Sequence, residues 1–172
     1  LNIGTAGTST LTLDGSALTG AFTATASSNA SLVKGGSGGD SLTGVAAADQ
    51  IYGNAGNDTI AGAAGSDTLD GGAGNDTITV IMHATELDTV TTGTGFDVVQ
   101  NTTATPTTAA AIKITDFDFG TATTAVDVLK LSDTGLDGLS TTTDVVDTSA
   151  NSVAATNGTV VHMTADAQIV SN

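Results

Sequence analysis

The sequence predicts an all-β fold in which a solenoid of short parallel strands is flanked by further β-rich segments, with little or no helix. Five nine-residue segments follow one another over residues 35–79, each with an Asp at its sixth position and an aliphatic residue at its eighth. A strict period of this kind is typical of repeat solenoids. Over residues 10–27, Leu, Phe and Ala alternate with Thr and Ser, which indicates strands. The chain has four Phe, one Tyr and no Trp, so a thin core of stacked Val, Ile and Leu is favoured over a thick globular one.

The repeats supply one acidic and one aliphatic side chain every nine residues. They read GGSGGDSLT (35–43), GVAAADQIY (44–52), GNAGNDTIA (53–61), GAAGSDTLD (62–70) and GGAGNDTIT (71–79). Their acidic residues are Asp40, Asp49, Asp58, Asp67 and Asp76, and their aliphatic residues are Leu42, Ile51, Ile60, Leu69 and Ile78. Val80, Ile81 and Met82 then form a three-residue insertion. The nine-residue phase resumes in HATELDTVT (83–91) and TGTGFDVVQ (92–100), which keep Asp88 and Asp97 but have lost most turn glycines.

The pattern G-G-x-G-x-D-x-U-x, in which U is aliphatic, resembles the calcium-binding nonapeptide of the RTX family. The resemblance implies a parallel β-roll, bound Ca²⁺ and secretion through a type I exporter. The stretch TLTLDGSALTGAFTATAS (10–27), followed by GGSGGDSLTG, is most similar to RTX-bearing bacterial surface-layer proteins. Further on, IKITDFDFG (112–120) and DVLKLSD (127–133) resemble a segment that follows the repeats in many type I secreted proteins.

We expect three segments along the chain. Residues 1–34 form an N-terminal β segment that packs on the roll. Residues 35–100 form the β-roll, with well-formed repeats over 35–79 and degenerate ones over 80–100. Residues 101–172 form a C-terminal β-rich segment that begins with a turn or short linker, NTTATPTT (101–108), and contains a hairpin signal at Asn157-Gly158.

Stacking of the acidic positions predicts metal sites. Two nonapeptides make one coil, so each Asp lies above the Asp 18 positions later. Neighbouring strands of a sheet are roughly 4.8 Å apart, and two carboxylates about 5 Å apart repel by roughly 3 kcal/mol at an effective dielectric constant near 20. A divalent cation between them turns repulsion into coordination, and six or more oxygen ligands suit Ca²⁺. The stacked pairs are Asp40/Asp58, Asp49/Asp67 and Asp58/Asp76, joined by Asp67/Asp88 if the insertion forms a bulge.

The turn geometry of the RTX family implies backbone carbonyl ligands that alternate along facing turns. One set is Gly35, Ser37 and Gly39 facing Asn54 and Gly56; the other is Gly53, Ala55 and Asn57 facing Gly72 and Gly74. We expect two or more ions, bound best at Asp40/Asp58 and Asp58/Asp76, and a weaker site at Asp49/Asp67 because GVAAADQIY has lost most motif features. The alternative is a metal-free array in which each Asp caps its own turn. Five Asp residues in strict phase exceed what turn chemistry requires.

Charge and motifs exclude several function classes. The net charge is −15 and 17 of the 18 acidic residues are Asp, which argues against nucleic acid and anionic membranes as partners. The chain has no run of 18 apolar residues, so no membrane insertion is expected. The H-E-x-x-H motif does not occur, His83 and His162 stand alone, and the G-x-S-x-G match around Ser37 lacks a strand-to-helix context. We therefore expect no enzyme.

The resemblance implies a structural calcium-binding segment of a secreted, extracellular protein of the bacterial cell surface, of surface-layer type. Its expected partners are further copies of itself in a lattice and cell-surface polysaccharide. Two other interpretations stay open: the C-terminal secretion domain of an exported protease or lipase, and a segment of a large repeat adhesin. The acids of the trailing region either hold a further Ca²⁺ or are turn and edge-strand acids: Asp116, Asp118, Asp127, Asp133 and Asp137.

Overall fold

The computed structural model describes residues 10–81, 85–102, 111–118 and 127–130, and within these ranges every regular element is a β-strand. The all-β prediction is confirmed for this part of the chain. The twelve strands are β1 (Leu11–Asp14), β2 (Thr23–Thr25), β3 (Ser31–Lys34), β4 (Ser41–Thr43), β5 (Gln50–Tyr52), β6 (Thr59–Ala61), β7 (Thr68–Ala73), β8 (Thr77–Val80), β9 (Leu87–Thr94), β10 (Val98–Asn101), β11 (Ala111–Ile114) and β12 (Val128–Lys130).

The strands form two parallel six-stranded sheets, and successive strands alternate between them. The odd sheet has the order β1-β3-β5-β7-β9-β11, and the even sheet has the order β12-β10-β8-β6-β4-β2. Every strand pair is parallel, for example Ser41 beside Thr59 and Thr59 beside Thr77. Because the chain crosses to the other sheet after each strand, it winds into a solenoid, which is the predicted parallel β-roll.

The register shows how the three-residue insertion is accommodated. Within the five repeats the paired residues are 18 positions apart. Thr68 pairs with Thr89 and Thr77 pairs with Val98, so the separation becomes 21 once the chain has passed residues 80–82. The extra residues therefore lengthen one connection and leave the strands in phase. At the C-terminal side the separation in the even sheet grows to 30, between Val98 and Val128.

Most of the core consists of one aliphatic side chain from each strand, stacked in two facing rows, and Val80 of β8, Ile112 of β11, Ala26 and Phe117 are buried beside them. The odd row is Leu13, Val33, Ile51, Leu69, Val90 and Ile114, and the even row is Ala24, Leu42, Ile60, Ile78, Val99 and Leu129. All twelve side chains are buried, and neighbouring residues of each strand point outwards. Full burial of such a side chain contributes about 1.5–3 kcal/mol. The core is therefore thin, as the scarcity of aromatic residues predicts.

The segments that flank the repeats continue the same two sheets. Strands β1 and β2 pair in register with β3 and β4, and β11 and β12 pair with β9 and β10. The division of the chain into three segments stays a prediction. Most of the linker at 101–108, the hairpin signal at Asn157-Gly158 and the residues after 130 lie outside the described residues.

The turn of the second repeat holds an alanine in a conformation that favours glycine. The fourth position of the three following repeats is a glycine with positive φ, 111° at Gly56 and 138° at both Gly65 and Gly74. The second repeat has Ala47 there, at φ 123°. Residues other than glycine rarely adopt this region, and holding one there costs about 1–3 kcal/mol. The turn therefore keeps its backbone conformation although the motif glycine is missing, and the cost is backbone strain at Ala47.

Ala47→Gly should stabilise the roll by about 1 kcal/mol, because glycine relieves the backbone strain at φ 123°. The greater conformational entropy of glycine in the unfolded state offsets part of this stabilisation. Ala48→Gly is the matched control, since Ala48 is an exposed neighbour without a positive φ, and it should destabilise by about 0.5–1 kcal/mol. Denaturant unfolding in saturating Ca²⁺ measures both. Equal losses of stability in the two variants would contradict the strain at Ala47.

Candidate metal centre

The acidic side chains form two buried columns, one at the start of each sheet's strands. The even column is Asp40, Asp58, Asp76, Asp97 and Asp127, and the odd column is Asp49, Asp67 and Asp88. All eight are at most 3% exposed. The predicted stacking of Asp40/Asp58, Asp49/Asp67 and Asp58/Asp76 is what the structure shows, and Asp67 lies over Asp88 across the insertion.

Each carboxylate uses its Oδ1 atom to link two turns. The backbone N–H of Asp40 donates to Asp58 Oδ1 at 2.7 Å, and the N–H of Asp58 donates to Asp76 Oδ1 at 2.8 Å. The even column continues with bonds from Asp76 to Asp97 (2.7 Å) and from Asp97 to Asp127 (3.1 Å). The odd column repeats the arrangement from Asp49 to Asp67 and on to Asp88, at 2.8 and 2.9 Å. The columns are therefore continuous ladders of charge-assisted hydrogen bonds.

The second oxygen of several carboxylates is left without a donor. Among the described residues, four such Oδ2 atoms are buried and have no hydrogen-bond partner: those of Asp58, Asp67, Asp76 and Asp97. An unsatisfied buried polar atom costs about 1–3 kcal/mol, and more when it is charged. A cation bound to these oxygens would remove that cost.

The glycines at the first position of each repeat border these oxygens. An added Cβ at Gly35, Gly53 or Gly71 would lie closer than 3.0 Å to Oδ2 of the Asp in the same repeat. It would lie equally close to the backbone oxygen of the first residue one turn further on: Gly53, Gly71 or Thr92. A carboxylate oxygen and a carbonyl oxygen thus converge where only a hydrogen fits. This mixed donor set is the one that Ca²⁺ prefers.

The carbonyl donors predicted from the sequence lie on turns that stack on one another. The backbone oxygen of Asn57 lies against Gly39, one turn earlier in the chain. The backbone oxygens of Asn54 and Gly56 lie against Gly72 and Gly74, one turn later. Gly35 O accepts a hydrogen bond from Asn54 Nδ2 at 2.7 Å, and Asn54 O accepts one from the Ala73 N–H at 2.7 Å. A carbonyl has two lone pairs, so these bonds leave each oxygen able to bind a cation. Ser37 and Ala55 lie in the same turns and donate their backbone N–H groups to Leu18 O and Gly36 O. Calcium ligation by these residues stays a prediction.

The second repeat keeps the arrangement although it has lost most of the motif. A Cβ on Gly44 would lie 2.8 Å from Asp49 Oδ2 and closer than 3.0 Å to Gly62 O. Asp49 Oδ2 accepts a hydrogen bond from the Val45 N–H at 3.1 Å. Asp49 Oδ2 is thus bonded as Asp40 Oδ2 is, by the N–H group four residues earlier, whereas Asp67 Oδ2 has no hydrogen-bond partner among the described residues. The weaker affinity expected for this pair stays a prediction.

The structure extends the even column by Asp97 and Asp127, beyond the stacked pairs predicted from the sequence. The sequence keeps Asp97 in phase in a degenerate repeat, whereas it gives Asp127 no phase and leaves it in the cluster of trailing acids. In that cluster, Asp116 accepts bonds from the Thr92 and Gly93 N–H groups at 2.7 and 2.9 Å, and the Asp118 N–H donates to Asp127 Oδ2 at 2.9 Å. Asp133, Asp137, His83 and His162 lie outside the described residues.

Acidic side chains alone do not make a metal site in the described ranges, where no three acidic or histidine side chains gather closely enough to hold an ion. An ion at these columns therefore has to draw part of its ligands from backbone carbonyls. That requirement matches the pairing of carboxylate and carbonyl oxygens beside the first-position glycines.

Comparison with known families agrees with this geometry. Residues 34–69 and 52–79 match the family model of the RTX calcium-binding nonapeptide repeat, in four copies. This segment is similar to the RTX repeats of that family. RTX repeats bind calcium, and proteins that carry them are typically secreted. Searches of curated proteins and of solved structures returned no match to the chain. Within the described residues, no helix has the length and apolar character needed to cross a membrane.

Burial changes the acidity of the stacked carboxyls. Burial, together with the neighbouring carboxylates of the column, raises the pKa of Asp58 to about 6 and the pKa values of Asp67 and Asp97 to about 7. Burial also raises the pKa values of Asp70, Asp76 and Asp127. The metal-free columns therefore hold protons near neutral pH, and Ca²⁺ has to displace them when it binds.

Asp58→Asn should weaken calcium binding by at least about tenfold, or about 1.4 kcal/mol. The amide keeps an acceptor for the Asp40 N–H but removes the charge of a residue that stacks on both Asp40 and Asp76. Asp49→Asn should weaken it less. Asp14→Asn should leave binding unchanged, because Asp14 is exposed and bonds only locally to Ser16. Calorimetric Ca²⁺ titration with circular dichroism measures all three, and wild-type affinity in Asp58→Asn would contradict the assignment.

The metal-free roll should lose stability as the pH rises. The folded-state pKa values of Asp58, Asp67 and Asp97 lie at about 6 to 7, above the unfolded value of about 3.9. The native state therefore binds more protons than the unfolded state between about pH 4 and 7, and the free energy of unfolding falls with rising pH across that window. Thermal melts of metal-stripped protein at about pH 5 and about pH 7.5 test the sign. Asp67→Asn should weaken the pH dependence of stability. A free energy of unfolding that rises with pH in the metal-free wild type would contradict the prediction.

Proposed function

We propose that this chain is a structural, calcium-dependent segment of a secreted bacterial cell-surface protein of the surface-layer type, and that Ca²⁺ drives its folding and its assembly. The observation that carries the proposal is the pair of buried Asp columns with unpartnered Oδ2 atoms. Such a roll is poorly stable without divalent ions and well stabilised with them.

Mass action gives the size of the calcium effect. A ligand at 100 times its dissociation constant stabilises the native state by about 2.7 kcal/mol per site. Two or more ions would therefore add roughly 5 kcal/mol or more, which is comparable to the whole stability of many small domains. Extracellular calcium modules bind with dissociation constants of about 10⁻⁴–10⁻³ M. We infer that the segment folds on reaching the calcium-rich exterior.

The outer surface of the roll supports a packing role. The outward positions of the even sheet are mostly short hydroxyl side chains: Thr23, Thr25, Ser41, Thr43, Thr59, Thr77 and Thr79. Short uncharged side chains allow close approach of a neighbouring molecule or of a polysaccharide. The other two candidates, an enzyme's secretion domain and an adhesin segment, require folding with calcium but no lattice.

Calcium-induced assembly separates these candidates. Adding Ca²⁺ to the metal-stripped chain should produce ordered two-dimensional sheets visible by electron microscopy, and Asp58→Asn should need more calcium to form them because its folding is weakened. Asp14→Asn serves as the control, since its carboxylate is outside the columns. A chain that folds with calcium and stays monomeric in analytical ultracentrifugation would favour the secretion-domain or adhesin role instead.

A further inference from the structure

The first residue of each repeat decides how much room lies beside the column's oxygens. At Gly53 and Gly71, a Cβ would come closer than 3.0 Å to Asp58 Oδ2 and Asp76 Oδ2, respectively. Neither glycine has a positive φ, so the backbone conformation does not require glycine at these positions. The requirement comes from the space next to the oxygens.

Thr92 stands at this position one turn after Gly71. The backbone oxygen of Thr92 lies against Gly71, just as the backbone oxygen of Gly71 lies against Gly53. Thr92 is therefore the structural equivalent of the first-position glycines. The Thr92 side chain is 0% exposed. Its Oγ1 lies 3.1 Å from Asp116 Oδ1 and 2.9 Å from Asp127 Oδ2. A β-carbon, a methyl group and a hydroxyl group are therefore present where the other repeats of this column have only a hydrogen.

The Asp97 turn keeps the acidic residue and the hydrogen-bond ladder of its predecessors. Asp97 is 0% exposed, and its Oδ1 accepts the Asp76 N–H at 2.7 Å. Its Oδ2 has no hydrogen-bond partner among the described residues. Asp127 takes the place of the next acid in the column, with its Oδ1 3.1 Å from the Asp97 nitrogen. The acidic oxygens of a site are in place, and residue 92 has a side chain at the position where Gly35, Gly53 and Gly71 have none.

We propose that Thr92 ends the calcium column: its side chain blocks the space beside Asp97 Oδ2, and this last turn is closed by hydrogen bonds in place of an ion. The Thr92 hydroxyl joins Asp116 and Asp127, which come from the segments that carry β11 and β12. The Thr92 and Gly93 N–H groups add two bonds to Asp116, at 2.7 and 2.9 Å. The inference rests on calcium binding by the repeats and not on the surface-layer role.

Counting bound ions on the full chain tests the proposal. Equilibrium dialysis up to about 10 mM Ca²⁺, well above the dissociation constants of about 10⁻⁴–10⁻³ M typical of extracellular modules, gives the number bound by the wild type. Thr92→Gly should bind one ion more, because it opens the space beside Asp97 Oδ2. Thr92→Ser and Thr92→Ala should bind the wild-type number, because each keeps a Cβ. Circular dichroism at saturating Ca²⁺ shows which variants are folded.

Two further variants keep the test decisive if Thr92→Gly fails to fold. Gly71→Ala should bind one ion fewer than the wild type, since its Cβ meets Asp76 Oδ2 and Thr92 O. Asp127→Asn should bind the wild-type number, because hydrogen bonds to Asp127 and Asp116, and not an ion, close the Asp97 turn.

Four results would each overturn the proposal. The first is a folded Thr92→Gly that binds the same number of Ca²⁺ ions as the wild type, and the second is an additional ion in Thr92→Ser or Thr92→Ala. The third is an unchanged number of ions in Gly71→Ala, and the fourth is the loss of an ion in Asp127→Asn. A wild type that binds no calcium would instead overturn calcium-driven folding itself.

Discussion

Repulsion between carboxylates stacked one strand apart is the constraint on which the roll depends. At a spacing of about 4.8 Å, each stacked pair costs roughly 3 kcal/mol at an effective dielectric constant near 20. Most strands bring a single aliphatic side chain to the core, and β8 and β11 bring two. The burial of each contributes about 1.5–3 kcal/mol. The two quantities are of the same size. Conformational entropy opposes folding as well, so the stacked strands need protons or divalent ions on the columns to be stable.

The hydrogen-bond ladder gives the two oxygens of each Asp different tasks. Oδ1 is fixed by the N–H of the preceding turn, at 2.7 Å between Asp40 and Asp58. This bond sets the orientation of the carboxylate and leaves Oδ2 beside the first-position glycine. The ligand is therefore positioned before any ion arrives, which lowers the ordering cost of binding. Glu, with one more rotatable bond, could not serve both tasks in the same space, and this explains why all eight acids of the two columns are Asp.

The sequence period predicts which residues pair between successive turns where the connections between strands keep a constant length. It does not predict the pairing where the length of a connection changes. The interior positions of Ile51, Ile60 and Leu69 follow from the nine-residue period, and Asp88 follows because the insertion restores the phase. Asp127 could not be placed, since it lies 30 residues after Asp97 and no repeat connects them. The backbone strain at Ala47 could not be predicted from the sequence either. The sequence reveals a missing glycine there, whereas only the backbone shows whether the turn changes shape or keeps it.

The ends of the columns show why a repeat array needs the segments around it. At the N-terminal end, the N–H groups of Phe22 and Ser31 donate to Asp40 Oδ1 and Asp49 Oδ1 at 2.7 and 2.8 Å, so a turn without any Asp completes each ladder. Leu13 and Ala24 cover the aliphatic rows at the same end. Stacked repeats contact only their neighbours, so terminal turns must supply donors and apolar cover from outside the motif. The flanking strands do both, and the stability of the calcium-binding turns therefore depends on residues that the repeat pattern does not contain.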